Sequence, residues 1–253
     1  MAWFEHGEHR IYYEEAGEGE PVLLFPGFSE GIGSHQDLRT ALAGHYHVFA
    51  ADLPGSGQSQ PQPRRYYPGY YDDDARLFAA FIRSVTGAPV HLVGFSDGGE
   101  VALLLAVLFP DLPRSVVTWG AAGAGRDPDG SLAGFFHDII DHPAPGAEGY
   151  RTYLISTYGE ENARIMTQSF SATFTAIIRN GGDVSASRAG QITCPVLLLA
   201  GENDGFVPKV LMDEFAAAST TTRTMVVPGA GHDVHNARKE WLLGTVTGWL
   251  AAH

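Results

Sequence analysis

Apolar residues fall into short continuous runs closed by turn residues, with stretches of helical spacing between them. Val22–Phe25, Tyr46–Ala51, Val90–Phe95, Ser115–Trp119, Val196–Ala200 and Arg223–Val227 read as strands. Helices are expected from about His35 to Ala43, Ala75 to Val85, just after Ser96 to Phe109, Lys209 to Ala218 and Asn236 to Leu250. Residues 2–15 alternate weakly and then meet Gly17-Glu18-Gly19, which predicts an edge hairpin. Tyr66–Tyr71 is aromatic and is expected to be flexible. The following Asp72-Asp73-Asp74 reads as the first turn of a helix, where acidic groups meet free N–H groups.

Strands that alternate with helices require a mostly parallel sheet with helices on both faces. From about Gly125 to Arg188 the strand signal vanishes. Helical stretches replace it at Ser131–Ile140, Tyr150–Tyr158 and Glu161–Arg179, broken at Pro143–Gly149 and Gly181-Gly182. The expected organisation is an α/β core made of residues 1–124 and 189–253, with residues 125–188 inserted as a helical lid. Ligands of such sheets bind outside the carboxyl ends of the strands, where the loops collect.

The most informative of those loops is Gly94-Phe95-Ser96-Asp97-Gly98, between an apolar strand and an apolar helix. It fits G-x-S-x-G, a sharp turn that holds a serine hydroxyl out at the top of a sheet. The glycines let strand and helix approach where side chains would clash. An activated serine needs a base and a group to orient that base. In sheets of this kind the partners follow in the order serine, acid, histidine. Asp204, after the strand ending at Ala200, and His232, after the last strand, occupy those places. His235 is the alternative base and Glu202 the alternative acid. An oxyanion needs two backbone N–H donors. Asp97 supplies one by position, and the Pro26–Ser29 loop supplies the other, with Phe28 the first choice and Ser29 the reserve. Trp119, Phe135, Phe136 and Phe170 are candidate walls of an apolar acyl pocket.

Composition narrows the ligand. The chain of 253 residues carries 29 acidic and 16 basic side chains, a net charge of −13, which argues against nucleic acid and anionic membrane. Its single cysteine, Cys194, excludes an intrachain disulfide and a thiolate metal cluster, and reads as a buried, inert thiol. The pair His232/His235 lacks further nearby ligands, and Asp72–Asp74 lack the spread a hard cation wants, so no metal is expected. The first ten residues have no basic and apolar leader pattern, and Val101–Phe109 is far too short to span a bilayer. A cytoplasmic protein is expected, a monomer or a small homo-oligomer.

The motifs Phe25-Pro26-Gly27, Gly94–Gly99, Trp119-Gly120-Ala121, Cys194-Pro195, Gly201-Glu202 with Asp204, Val207-Pro208, and His232 with His235 carry a family likeness. Over nearly its whole length the chain resembles the α/β-hydrolase superfamily, and within it the valacyclovir hydrolase (biphenyl hydrolase-like) branch of serine esterases. Pro26 stands where the wider superfamily commonly has histidine, a change that branch shares. The resemblance implies a cofactor-free serine hydrolase with Ser96, His232 and Asp204 as its triad. It also implies that Asp97 can bind the α-ammonium of an amino-acid ester; the other reading is that Asp97 caps its helix. The expected substrates are carboxylic esters of small acyl groups, α-amino acids among them. A lactonase or other acyl hydrolase with the same triad is the alternative, and a ligand-binding protein without turnover is the rival from another class.

Overall fold

The computed structural model describes residues 2–253. Strands β1 (Ala2–His6), β2 (His9–Ala16) and β3 (Pro21–Phe25) lead to helix α1 (Gln36–Leu42) and strand β4 (His47–Ala51). Helix α2 (Tyr70–Phe81) precedes the central unit of β5 (Val90–Phe95), α3 (Ser96–Leu108) and β6 (Pro113–Trp119). Three helices follow, α4 (Ser131–Asp138), α5 (Glu148–Tyr158) and α6 (Glu160–Arg179). The chain closes with β7 (Val196–Gly201), α7 (Lys209–Ala218), β8 (Thr222–Val227), α8 (Val234–Ala237) and α9 (Lys239–Leu250). The strands form one eight-stranded sheet in the order β1-β2-β4-β3-β5-β6-β7-β8. From β4 to β8 every pairing is parallel, while β1–β2 and β2–β4 are antiparallel. This is the α/β-hydrolase fold.

Alternation along the strands divides the core into two layers. Leu23, Phe25, Leu92, Val116 and Leu198 face α2, α3 and α7. Their neighbours Leu24, Val93, Phe95, Val117, Trp119 and Leu199 face α1 and α9. Both faces are covered, which is why the inner strands are mostly apolar, with His91, Ser115 and Thr118 as buried polar exceptions. Helix α3 is buried on all sides from Asp97 to Val107, and its residues are accordingly apolar all round after the first turn. Helices α4–α6 pack among themselves around Ile139, Ile140, Leu154, Tyr158 and Met166. Among the described residues no helix is long and apolar enough to cross a membrane.

Two local expectations are corrected. The edge hairpin turns at Gly7-Glu8, where His6 pairs with His9, and Gly17–Gly19 joins β2 to β3. The segment Tyr66–Tyr71 is anchored, since Tyr66 and Tyr70 are buried and helix α2 already starts at Tyr70. Asp72 and Asp73 do lie in that first turn, but Asp74 is buried and accepts a 2.5 Å bond from Arg64. An aromatic cluster around a buried ion pair holds this segment, and the local polarity of the chain does not reveal it.

One buried carboxyl on α3 couples the helix to the sheet. Glu100 Oε1 accepts the N–H groups of Ala122 and Gly123 just after β6, at 3.0 Å each, while Oε2 is buried without a partner. Burial pushes its pKa up from the ordinary 4.5 to about 8, against the pull of those two N–H groups. A proton retained in the folded state and lost in the unfolded chain makes stability fall as pH rises. The contribution is complete below pH 4.5 and lost as pH passes 8. Glu100→Gln, which keeps the acceptor, should remove this slope. In urea denaturation, wild type should lose stability relative to Glu100→Gln between about pH 5 and pH 8, with the difference constant above that. Parallel profiles would contradict the assignment.

Candidate active site

The site is built on the turn from β5 to α3. Phe95 is extended, with φ −108° and ψ 134°, and Ser96 then adopts a left-handed φ of +49° as the first residue of α3. That region is uncommon for any residue but glycine, and here it directs the serine side chain outward from the junction. The neighbouring glycines permit it. A Cβ on Gly94 would lie 2.6 Å from the Gly98 carbonyl oxygen, and one on Gly98 would lie 2.6 Å from Cβ of Phe25. The start of α3 therefore presses directly against the end of β3.

Two loops at the same sheet end complete a hydrogen-bonded relay. His232, after β8, places Nε2 2.9 Å from Ser96 Oγ. Its Nδ1 lies 3.1 and 3.0 Å from the two carboxylate oxygens of Asp204, in the loop after β7. An ionised carboxylate only accepts, so the ring proton belongs on Nδ1 and leaves Nε2 to accept from the serine hydroxyl. Asp204 is buried and is fixed by two further donors, Phe206 N–H at 2.8 Å and Val207 N–H at 3.0 Å on Oδ1. The alternatives lie elsewhere. His235 Nδ1 accepts the Trp119 indole N–H at 3.1 Å, and burial lowers its pKa to about 4, so it is a neutral packing residue. Glu202 accepts the Gly229 N–H at 2.9 Å and is exposed.

The N–H of Asp97 lies in the first turn of α3 and so has no intrahelical acceptor. Among the described residues the N–H of Phe28 has no hydrogen-bond acceptor either. Chemically, His232 is placed to take the proton of the serine hydroxyl, and two backbone N–H groups at the same sheet end are left without acceptors.

A cavity of about 700 Å³ opens above Ser96. Phe135, Phe136 and Phe170 line it, and Phe28 adds its ring, 5.1 Å from Phe136 and 4.6 Å from Phe170 between centroids. Trp119 does not belong to it. As the residue after Thr118 on β6 it points to the opposite face of the sheet, where it is fully buried against Phe95 and bonded to His235. Phe174, Ile177 and Phe206, which are not among the walls expected from sequence, line it too. Phe170, Phe174 and Ile177 recur at helical spacing along α6, a signal that was present but that fits packing equally well.

Asp97 also lines the cavity, and its side chain is buried. Among the described residues it makes no capping bond to its helix. Instead its carboxylate accepts the Tyr70 hydroxyl at 2.9 Å and the Tyr66 hydroxyl at 3.4 Å, and lies 3.5 Å from the Arg64 guanidinium. Arg64 in turn is closer to Asp74, at 2.5 Å, whose pKa burial raises to about 6 in spite of the pair.

Comparison with known proteins agrees with this architecture. A sequence model of the alpha/beta hydrolase family matches residues 22–243. The chain is 26% identical over 233 residues to the serine hydrolase BPHL of Homo sapiens, covering 89% of this chain and 78% of that protein. It is 25% identical over 262 residues to the 2-(acetamidomethylene)succinate hydrolase of Mesorhizobium japonicum, covering 97% and 93%. Among solved structures, the enol-lactonase of Burkholderia xenovorans superposes with a TM-score of 0.76 at 18% identity, covering 99% of this chain and all (100%) of that one, a likeness of fold.

Proposed function

The chain belongs to the alpha/beta hydrolase family, and from that premise we propose that it is a serine hydrolase that cleaves carboxylic esters through an acyl-enzyme on Ser96. The observation that carries the reading is the Ser96–His232–Asp204 relay, with bonds of 2.9 to 3.1 Å, at the base of an aromatic cavity. In this reading Ser96 Oγ attacks the ester carbonyl as His232 Nε2 takes its proton. The carbonyl oxygen becomes an anion that accepts from the N–H groups of Phe28 and Asp97. Asp204 keeps the imidazole in the right tautomer and favours the imidazolium. His232 returns the proton to the leaving alcohol, then draws one from the water that releases the acid. Residues 125–188 act as a lid over the cavity and supply most of its aromatic walls.

Charge selects among substrates. Glu30, Asp97, Glu100 and Asp233 line the cavity, and no lysine or arginine does among the described residues. A dicarboxylate such as the one in the name of the Mesorhizobium relative would meet carboxyl groups there and no cation. Asp74 and Asp97 share a single guanidinium, so negative charge remains uncompensated beside Ser96. An ammonium on the carbon next to the scissile carbonyl would neutralise it. The favoured substrates are therefore esters of small acyl groups, neutral or α-amino.

Ser96→Ala should keep the fold, by circular dichroism, and lose turnover by several orders of magnitude; retained activity would reject Ser96 as the nucleophile. A charge-assisted contact contributes about 1.5–3 kcal/mol, roughly tenfold to a hundredfold in selectivity. We expect benzyl valinate to exceed benzyl isovalerate in kcat/KM by tenfold or more, with Asp97→Asn abolishing the difference. Monobenzyl succinate should be the poorest of the three. Equal rates for all three would leave an esterase without charge selection. Turnover of lactones alone would replace the ester reading by a lactonase.

A further inference from the structure

Three tyrosines of α5 converge on one residue of the loop after β3. The carbonyl of Ser29 accepts the hydroxyls of Tyr153 at 2.8 Å and Tyr158 at 2.7 Å, which occupies both of its lone pairs. The Ser29 hydroxyl meets that of Tyr150 at 3.1 Å. Tyr158 reaches further, accepting the Gly57 N–H at 2.9 Å, so it ties the loops after β3 and β4 together. Ser29 is fully buried and, besides Ser96, is the only non-glycine described with a positive φ, +60°.

That backbone has a consequence at the neighbouring peptide. Gly27 to Glu30 form a turn closed by the Glu30 N–H on the Gly27 carbonyl at 3.2 Å, and the Glu30 carboxylate accepts the Gly27 N–H at 3.0 Å. A positive φ only at the third residue is the type II pattern, for which glycine is the usual occupant. The Gly27 carbonyl and the Phe28 N–H belong to one planar peptide unit. Whatever fixes Ser29 in the turn therefore fixes the direction of the Phe28 N–H.

We propose that Tyr153 and Tyr158 are positioning residues for the oxyanion site, holding the Phe28 N–H in its donating direction through the Ser29 carbonyl. The inference rests on the serine hydrolase reading above, and it couples the inserted helices to the chemistry. With α5 packed down the donor is aimed; with α5 lifted the turn loses the bonds that offset its left-handed serine. Burial raises the Tyr153 hydroxyl pKa to about 12 and that of Tyr158 higher still, so both stay protonated donors across the working pH range.

The test uses Tyr153→Phe, Tyr158→Phe, the double variant, and Tyr67→Phe as a control, since Tyr67 is exposed and bonds only to Asp73. The reporter is a benzyl trifluoromethyl ketone. Ser96 Oγ adds to its carbonyl carbon, the hydroxyl proton passes to His232, and the carbonyl oxygen becomes an anion in the same site without a leaving group. Isovalerate, the product acid, reports ground-state binding. Misplacing one donor costs about a hundredfold. We expect the double variant to lose that factor in kcat for benzyl isovalerate and, in parallel, in ketone affinity, with KM and isovalerate inhibition near wild type. Values of kcat and ketone affinity within twofold of wild type would overturn the inference, as would a loss confined to KM and isovalerate binding. A wild-type protein that neither hydrolyses the ester nor binds the ketone would remove the hydrolase reading along with it.

Discussion

The left-handed backbone at Ser96 is the constraint on which the rest of the site depends. A serine held at φ +49° between a strand and a helix persists only if its surroundings leave it no other conformation. The contacts across Gly94 and Gly98 supply this by locking β5 against α3 and α3 against β3. Parallel pairing then brings the remaining groups to the same edge. Phe25 pairs with Gly94, Phe95 with Trp119, Trp119 with Leu199, and Gly201 with Val227. The strands thus end almost level, and the loops bearing Phe28, Ser96, Asp204 and His232 leave the sheet side by side.

Beneath that edge the charges are arranged for placement more than for stability. Arg64 is fully enclosed, donating to the Pro54 carbonyl at 2.6 Å and to Asp74, stacking at 4.7 Å over Tyr66, and leaving Nε without a partner. Buried ion pairs of this kind return little net stability once desolvation is counted. Here the pair ties the loop after β4 to α2 and brings two tyrosine hydroxyls to Asp97. Above the edge, the tyrosines of α5 grip the loop after β3. The turn around Phe28 and Ser29 is therefore held by side chains from an element far away in sequence.

Much of this was legible in the chain itself. Runs such as Val22–Phe25 and Val196–Ala200 are apolar because both sheet faces are covered, so their strand character and burial follow from composition alone. Ser96, Asp204 and His232 stand out because each follows such a run in a glycine-rich loop, and the structure brings all three within hydrogen-bond reach. Phe135, Phe136 and Phe170 line the cavity, whereas Trp119 turns to the other face of β6. A strand-end aromatic can line a cavity or pack beneath it, and only the tertiary packing decides which.

The sequence by itself determined the order of elements, the two-sided sheet and the residue types at the turns, because these depend on periodicity and on local backbone requirements. It could not decide between partners separated by long stretches of chain. That Tyr66 and Tyr70 turn inward to Asp97, that Arg64 is shared by two carboxylates, and that Tyr153 and Tyr158 meet at one carbonyl all result from tertiary packing. A buried hydroxyl or carboxyl group can take its partner from any element packed against it, so neighbouring residues carry no trace of which one it will be.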